Sequence, residues 1–208
     1  YYNMVKLALL EKGVPFEEVP FFAGKTPEAL AISPRGKVPA LGVEQGFINE
    51  TSVILEYIEQ TQSGLRLLPV DPFERAQVLA LAKEIELYIE LPARACYPEA
   101  FFGMQVPDAI KEKARTELLD GIASLGRHGK FAPYVAGETL SVADIYFAFS
   151  VDLACGVAHK VFGLDLLADM PGAKALLERL QQNPHVQKIA ADKDAAMPQF
   201  LAWISSKK

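Results

Sequence analysis

Apolar residues at Met4, Val5, Leu7, Ala8, Leu9 and Leu10 recur at helical spacing and stop at Glu11-Lys12-Gly13, where the glycine suits the left-handed conformation that closes a helix. Residues 16–21, bounded by Pro15 and Gly24, form a short β-prone run. Residues 27–32 predict a short helix stopped by Ser33-Pro34-Arg35-Gly36. Residues 38–43 predict a strand, and Gln45-Gly46 a tight turn into Phe47-Ile48. Helical spacing returns at Thr51, Val53, Ile54, Leu55, Tyr57 and Ile58 and ends near Ser63-Gly64. With one further strand ahead of Tyr1 the order would be βαβ followed by ββα, a four-stranded mixed sheet with a right-handed crossover in its first half.

Residues 65–72 carry Pro69 and Pro72 and break the periodicity, which marks a linker. Beyond it almost every period is helical. Residues 73–102 form one long apolar-striped segment whose Pro92 and Pro98 predict a kink or break near Pro92. Further helices are expected over 107–125, 172–182, 184–191 and 195–204. In Leu140-Ser141-Val142-Ala143-Asp144-Ile145, Ser141 can cap a helix whose third position is Asp144, while Leu140 and Ile145 are spaced for a hydrophobic staple. The helix beyond this cap is apolar on nearly all sides, as in the middle of a bundle. Ser141 and Asp144 are therefore read as folding residues. The pattern divides the chain into an α/β unit over 1–64, a linker over 65–72 and an all-helical domain over 73–208.

The composition is that of a globular chain: 208 residues, half of them apolar and 23% charged, with a net charge of −5. Nucleic acid is excluded as a main partner, because neutralising phosphates needs clustered Lys and Arg. The one basic doublet, Lys207-Lys208, is a chain end expected to be solvated. Cys96 and Cys155 stand 59 residues apart with no CxxC and no zinc-site spacing, which favours two reduced thiols and no metal. No uninterrupted run of 18 apolar residues suggests a membrane span, and no signal peptide is visible, so a cytoplasmic location is expected. The chain opens on Tyr1-Tyr2-Asn3-Met4 and enters a helix at once, so a first strand is expected upstream of Tyr1.

Two stretches carry chemistry. In Arg35-Gly36-Lys37-Val38-Pro39-Ala40-Leu41, a Val-Pro bond at a strand entry suits a cis peptide that turns the Val38 backbone outward, where its N–H and C=O can grip an extended peptide. A trans proline opening an edge strand reads equally well from the spacing. In Asn49-Glu50-Thr51-Ser52, Thr51 or Ser52 can cap the next helix, whose free N–H groups attract a carboxylate, and Glu50 can accept from an ammonium group. A plain N-cap beside an exposed Glu reads equally well from this stretch alone. Together the stretches suit a zwitterionic, extended peptide, with Lys37 ready for a far carboxylate.

The runs Pro34-Arg35-Gly36-Lys37-Val38-Pro39-Ala40-Leu41, Asn49-Glu50-Thr51-Ser52-Val53-Ile54-Leu55-Glu56-Tyr57-Ile58 and Leu140-Ser141-Val142-Ala143-Asp144-Ile145 resemble the cytosolic glutathione S-transferase family over essentially the whole chain. The resemblance implies a thioredoxin-like N-terminal domain, an all-helical C-terminal domain and usually a homodimer. It implies glutathione as co-substrate and no prosthetic group. Val38 would pair with the cysteinyl backbone with Pro39 in cis, Glu50 and Thr51 would hold the γ-glutamyl end, and Lys37 would reach the glycyl carboxylate. The family's thiol-activating Ser, Tyr or Cys falls about two residues before Tyr1, which leaves Tyr1 and Tyr2 as the nearest hydroxyls. Tyr88, Leu91, Tyr97, Phe101 and Phe102 are candidates for the pocket of a small hydrophobic electrophile, although each also fits bundle core or a subunit contact. The activity implied is conjugation of the glutathione thiolate to that electrophile. The alternatives are a non-catalytic stress or scaffold protein on the same fold, or a glutathione-dependent isomerase, dehalogenase or disulfide reductase.

Overall fold

A computed structural model describes residues 1–205; Lys207 and Lys208 lie outside the described residues. The N-terminal part holds α1 (Tyr2–Glu11), α2 (Pro27–Ile32), β1 (Ala40–Val43), β2 (Gly46–Asn49) and α3 (Thr51–Thr61). The strands form an antiparallel hairpin in which Leu41 faces Ile48 and Gly42 faces Phe47. The apolar stripe of α1 divides between two sides. Val5 and Leu9 pack with Ile54 and Ile58 of α3, and Met4, Leu7 and Ala8 enter the helical domain's core.

Residues 16–21 do not form the expected strand. They lie extended with Val19 76% exposed, and they ladder with neither β1 nor β2. β propensity reports fitness for a pleated, half-buried surface and says nothing about whether a neighbour is there to take the amides. The described sheet is therefore two-stranded.

The helical part comprises α4 (Pro72–Ile85), a π-helical turn (Glu86–Glu90), α5 (Leu91–Arg94), α6 (Tyr97–Phe102), α7 (Asp108–His128), α8 (Val142–Tyr146), a second π-helical turn (Phe147–Val151), α9 (Asp152–Phe162), α10 (Pro171–Gln181) and α11 (Pro184–Ser205). The irregularity expected near Pro92 is present as the first π turn, followed by a break at Ala95 and Cys96. Proline lacks the N–H that an α-helical ladder would use there, and a wider turn absorbs the mismatch. Close packing helps to hold that turn. A Cβ on Gly121 of α7 would fall 2.0 Å from the Tyr88 carbonyl oxygen, so only glycine lets α7 approach so near. The helices expected separately over 184–191 and 195–204 are one helix, α11, which runs through Pro198. No Gly or Pro stands between Ala191 and Ala195 to break it, and Asp192 there pairs with Lys188 one turn back and with Lys6 of α1.

The run from α8 to α9, Val142–Phe162, is long and apolar enough by length and composition to cross a membrane, although Asp144, Asp152, His159 and Lys160 interrupt it. Half of its most apolar stretch is buried inside the protein, and Phe147, Val151, Ala154 and Val157 have no exposed surface. This is the behaviour of a bundle's central helix.

The start of that helix is held by a single carboxylate. Asp144 Oδ2 accepts from both the N–H and the hydroxyl of Ser141 at 2.8 Å, closing the capping box. Its Oδ1 accepts from the Val135 N–H at 2.8 Å. Leu140 and Ile145 are both buried, as a staple requires. The Val142 N–H donates to the Leu67 carbonyl at 2.9 Å, so the same helix start grips the segment between the two parts. That segment is packed, with Leu67 and Leu68 buried. It is also tied to the buried ion pair Lys12–Glu59, because Lys12 Nζ donates to the Leu65 carbonyl and the Leu67 N–H donates to Glu59.

Candidate functional site

The first stretch folds as a shaped loop ahead of β1. Ser33 organises it: the Gly36 N–H donates to its carbonyl at 2.7 Å and the Lys37 N–H to its hydroxyl at 3.0 Å. Gly36 sits at φ +61°, and a Cβ there would fall 1.7 Å from the Gly24 carbonyl oxygen, so both the backbone conformation and the space demand glycine. The Val38-Pro39 bond is cis. Pro39 is buried while Lys37 and Val38 are exposed, so the loop is anchored at its proline and Val38 stands at the surface.

The second stretch differs from expectation in its cap. Neither Thr51 nor Ser52 occupies the N-cap of α3; Glu50 does, at φ +69° and without a side-chain bond to the helix. A non-glycine residue at positive φ costs on the order of 1–3 kcal/mol, and such positions cluster at ligand clamps. The neighbouring residue supplies the reason: Thr51 is buried as the first helical residue, so the chain must turn at Glu50, which stays exposed. Asn49 fixes the turn by donating from Nδ2 to the Ile32 carbonyl at 3.1 Å, and its Oδ1 is buried without a partner among the described residues. The N–H groups at the start of α3 are thus left without a side-chain cap beside an exposed carboxylate, a pairing suited to the two charged ends of an amino acid.

The start of α1 likewise has no side-chain cap. The hydroxyls of Tyr1 and Tyr2 are both committed to carboxylates: Tyr1 donates to Glu90 Oε2 at 2.9 Å and Tyr2 to Glu18. Burial, reinforced by those carboxylates, pushes both phenols well above their ordinary value, so both stay protonated as donors.

The five pocket candidates separate. Tyr97 and Phe101 are half-buried and meet edge to face at 5.4 Å between ring centroids, and Phe101 lies against Gly156 of α9. Tyr88, Leu91 and Phe102 are exposed. Sequence reasoning missed Glu90 and Arg94. Glu90, on the last residue of the first π turn, is 3% exposed and collects Tyr1, Arg94 and, more weakly at 3.5 Å, the Tyr97 hydroxyl. The signal was available in part, since a Glu and an Arg four apart break the apolar stripe of Ile85, Ile89, Ala93 and Cys96.

Cys96 and Cys155 are both free. Burial raises both thiols, Cys155 to about 12, so neither is a ready thiolate.

Residues 1–66 match the family model described as glutathione S-transferase, N-terminal domain. The chain is 65% identical over 208 residues to a glutathione S-transferase of Pseudomonas putida, covering all of this chain and 94% of that protein. Among solved structures, a maleylacetoacetate isomerase of Methylobacterium extorquens AM1 with bound malonate and GSH is 28% identical with a TM-score of 0.68, covering 90% of each chain. A glutathione transferase Omega 3C from Trametes versicolor, at 22% identity and a TM-score of 0.76 over 91% of this chain and 83% of that one, shares the fold.

Proposed function

The chain belongs to the glutathione S-transferase family, and on that premise we propose that it joins the thiolate of glutathione, its co-substrate, to a small hydrophobic electrophile. The observation that carries the reading is the pairing of an exposed Val38 on a cis-Pro39 loop with an exposed Glu50 at positive φ beside the start of α3, which has no side-chain cap. In this reading the Val38 N–H and C=O take the cysteinyl backbone as an added strand would. Glu50 accepts from the γ-glutamyl ammonium, the N–H groups at Thr51 and beyond take its carboxylate, and the exposed Lys37 reaches the glycyl carboxylate. The sulfur then lies at the start of α1, where the helix dipole favours the thiolate. The thiolate attacks the electrophile's carbon in the cleft walled by the helical domain, with Tyr97 and Phe101 as its half-buried aromatic side.

The division into a glutathione-binding domain over 1–64, a linker over 65–72 and a helical domain over 73–208 belongs to the same proposal, as does a cytoplasmic location. So does a homodimer. Val53 on α3, Phe73 on α4, Leu87 in the π turn and Leu91 on α5 are all exposed, and the Lys83–Ser52 contact brings the end of α4 beside the start of α3. An apolar surface of this kind fits a second copy. Sedimentation at micromolar concentration would show twice the 22.8 kDa chain mass, and a single-chain mass would reject the dimer.

Calorimetry with glutathione tests the central reading. Binding is expected, and Glu50→Ala should weaken it by about 1.5–3 kcal/mol, the range for a charge-assisted hydrogen bond. No heat and no thermal stabilisation at millimolar glutathione would sink the reading, and an unchanged affinity in the variant would remove Glu50 from the site.

A further inference from the structure

We propose that Asn49 is a positioning residue of the glutathione site, whose side-chain amide sets the spacing between the Val38 loop and Glu50 so that both ends of the tripeptide are met at once. The inference rests on the glutathione reading above and adds to it a residue that touches no ligand.

The backbone leaves this spacing open. The ladder between β1 and β2 ends at the pair Ala40–Asn49. Val38 comes two residues before that last rung and Glu50 one residue after it, so both groups that meet the ligand stand beyond the ladder. Glu50 turns at φ +69°, a conformation that persists only where its surroundings impose it. The Val38 loop has ties of its own. The Gly36 N–H donates to the Ser33 carbonyl and the Lys37 N–H to the Ser33 hydroxyl. The Gly24 N–H donates to the Gly36 carbonyl at 3.0 Å, and Lys25 Nζ donates to the Arg35 carbonyl at 2.9 Å. All of these bonds fall within residues 24–37, and none reaches the turn at Glu50.

Asn49 makes that connection. Its Nδ2 donates to the Ile32 carbonyl at 3.1 Å. Ile32 ends α2 and adjoins Ser33, so the bond runs from the residue before Glu50 to the residue before the organiser of the Val38 loop. Among the described residues it is the only hydrogen bond or ion pair between residues 24–39 and 49–61.

The same amide is poorly chosen for stability. Only Nδ2 can meet the Ile32 carbonyl, which fixes the orientation of the amide and leaves Oδ1 buried with no partner among the described residues. A buried acceptor left unpaired is costly, and a leucine of similar outline would avoid that cost. Leucine would give up the directed bond to Ile32. What Asn49 supplies is therefore a fixed distance. The tripeptide spans both halves of the site, so that distance matters only while both halves are engaged. A spacing set before binding also spares the ligand the cost of ordering the turn against the loop.

The test is a cycle of variants on the full chain: Asn49→Leu, Glu50→Ala and the two together, with glutathione binding followed by calorimetry. Asn49→Leu should raise the Kd for glutathione about tenfold, below the 10²-fold that a 1 Å misplacement can cost. Its Tm should stay within about 4 °C of wild type. In the Glu50→Ala background the same replacement should cost less than about threefold, because one half of the site no longer engages. In turnover with excess 1-chloro-2,4-dinitrobenzene the loss should fall on KM for glutathione, with kcat held within about twofold. Should Asn49→Leu fail to fold, Asn49→Ser, whose hydroxyl is too short to reach the Ile32 carbonyl, takes its place under the same expectations. A Kd within about twofold of wild type would overturn the proposal. Equal fold losses in the two backgrounds would overturn it as well, because Asn49 would then act through the fold and not through the spacing. Wild-type protein that binds no glutathione would instead bring down the parent reading, and this one with it.

Discussion

Replacing Asp144 with Ala should be among the costliest single changes in this protein, far costlier than replacing its capping partner. The carboxylate has no exposed surface and accepts three hydrogen bonds, from the Ser141 N–H, the Ser141 hydroxyl and the Val135 N–H, each at 2.8 Å. The hydroxyl can rotate to a new partner, but the two amides cannot. Ser141 is 3% exposed and Val135 has no exposed surface, so both N–H groups would be stranded. A stranded buried donor costs about 1–3 kcal/mol, which gives roughly 2–6 for the pair. Burial works against this, because it raises the Asp144 carboxyl above its ordinary value and makes its charge costly to keep. The expected loss for Asp144→Ala is therefore about 3–4 kcal/mol. Ser141→Ala should cost about 1 kcal/mol, since Asp144 keeps both amides. Urea unfolding reads this as a fall in midpoint at unchanged slope. Losses within about 0.5 kcal/mol of each other would refute the account, because the Val135 bond would then carry nothing. Asp144→Ala at full stability but without turnover would make Asp144 a site residue instead.

Lys12 and Glu59 have side chains 1% and 3% exposed, so Lys12→Met should cost about 3–5 kcal/mol by stranding a buried carboxylate, while Lys12→Met/Glu59→Leu should recover much of it; a double variant no better than the single one would contradict this. Cys155, raised to about 12 by burial first and by Asp152 and Asp165 second, should react with iodoacetamide at pH 8 about a thousandfold more slowly than a free thiol, and labelling at the free rate, followed by mass spectrometry, would show the burial to be wrong. Asp192 is held down to about 2 by Lys188 and Lys6, below its ordinary 3.8. Its stabilising effect is therefore full above about pH 4 and lost as pH falls through about 2. Lys6→Met should flatten that part of the acid-unfolding curve, and an unchanged curve would remove the Lys6–Asp192 pair from the account of α11.

The parts of this molecule that sequence made readable are those whose partners lie close along the chain. Ser141 and Asp144 are three residues apart, so local chemistry suffices to place the cap, whereas the Val38-Pro39 spacing alone leaves cis and trans equally open. The errors occur where a distant partner decides. Residues 16–21 have the composition of a strand, yet strand formation depends on a neighbour that composition does not encode. The sequence suggests separate helices over 184–191 and 195–204, but Lys6, 186 residues from Asp192, helps to hold one helix through. Thr51 looked like a cap because a hydroxyl stood at a helix start, whereas the packing of Thr51 inward forces the turn onto Glu50. The Glu90 cluster is the extreme case. Glu90 and Arg94 are neighbours on one helical face, but their meaning comes from Tyr1, 89 residues away, which reaches the same carboxylate. A buried Glu–Arg pair alone is as consistent with a structural tie as with a site. What the sequence cannot show is that the start of α1 comes back to this helix, which is what brings the Tyr1 hydroxyl onto the Glu90 carboxylate.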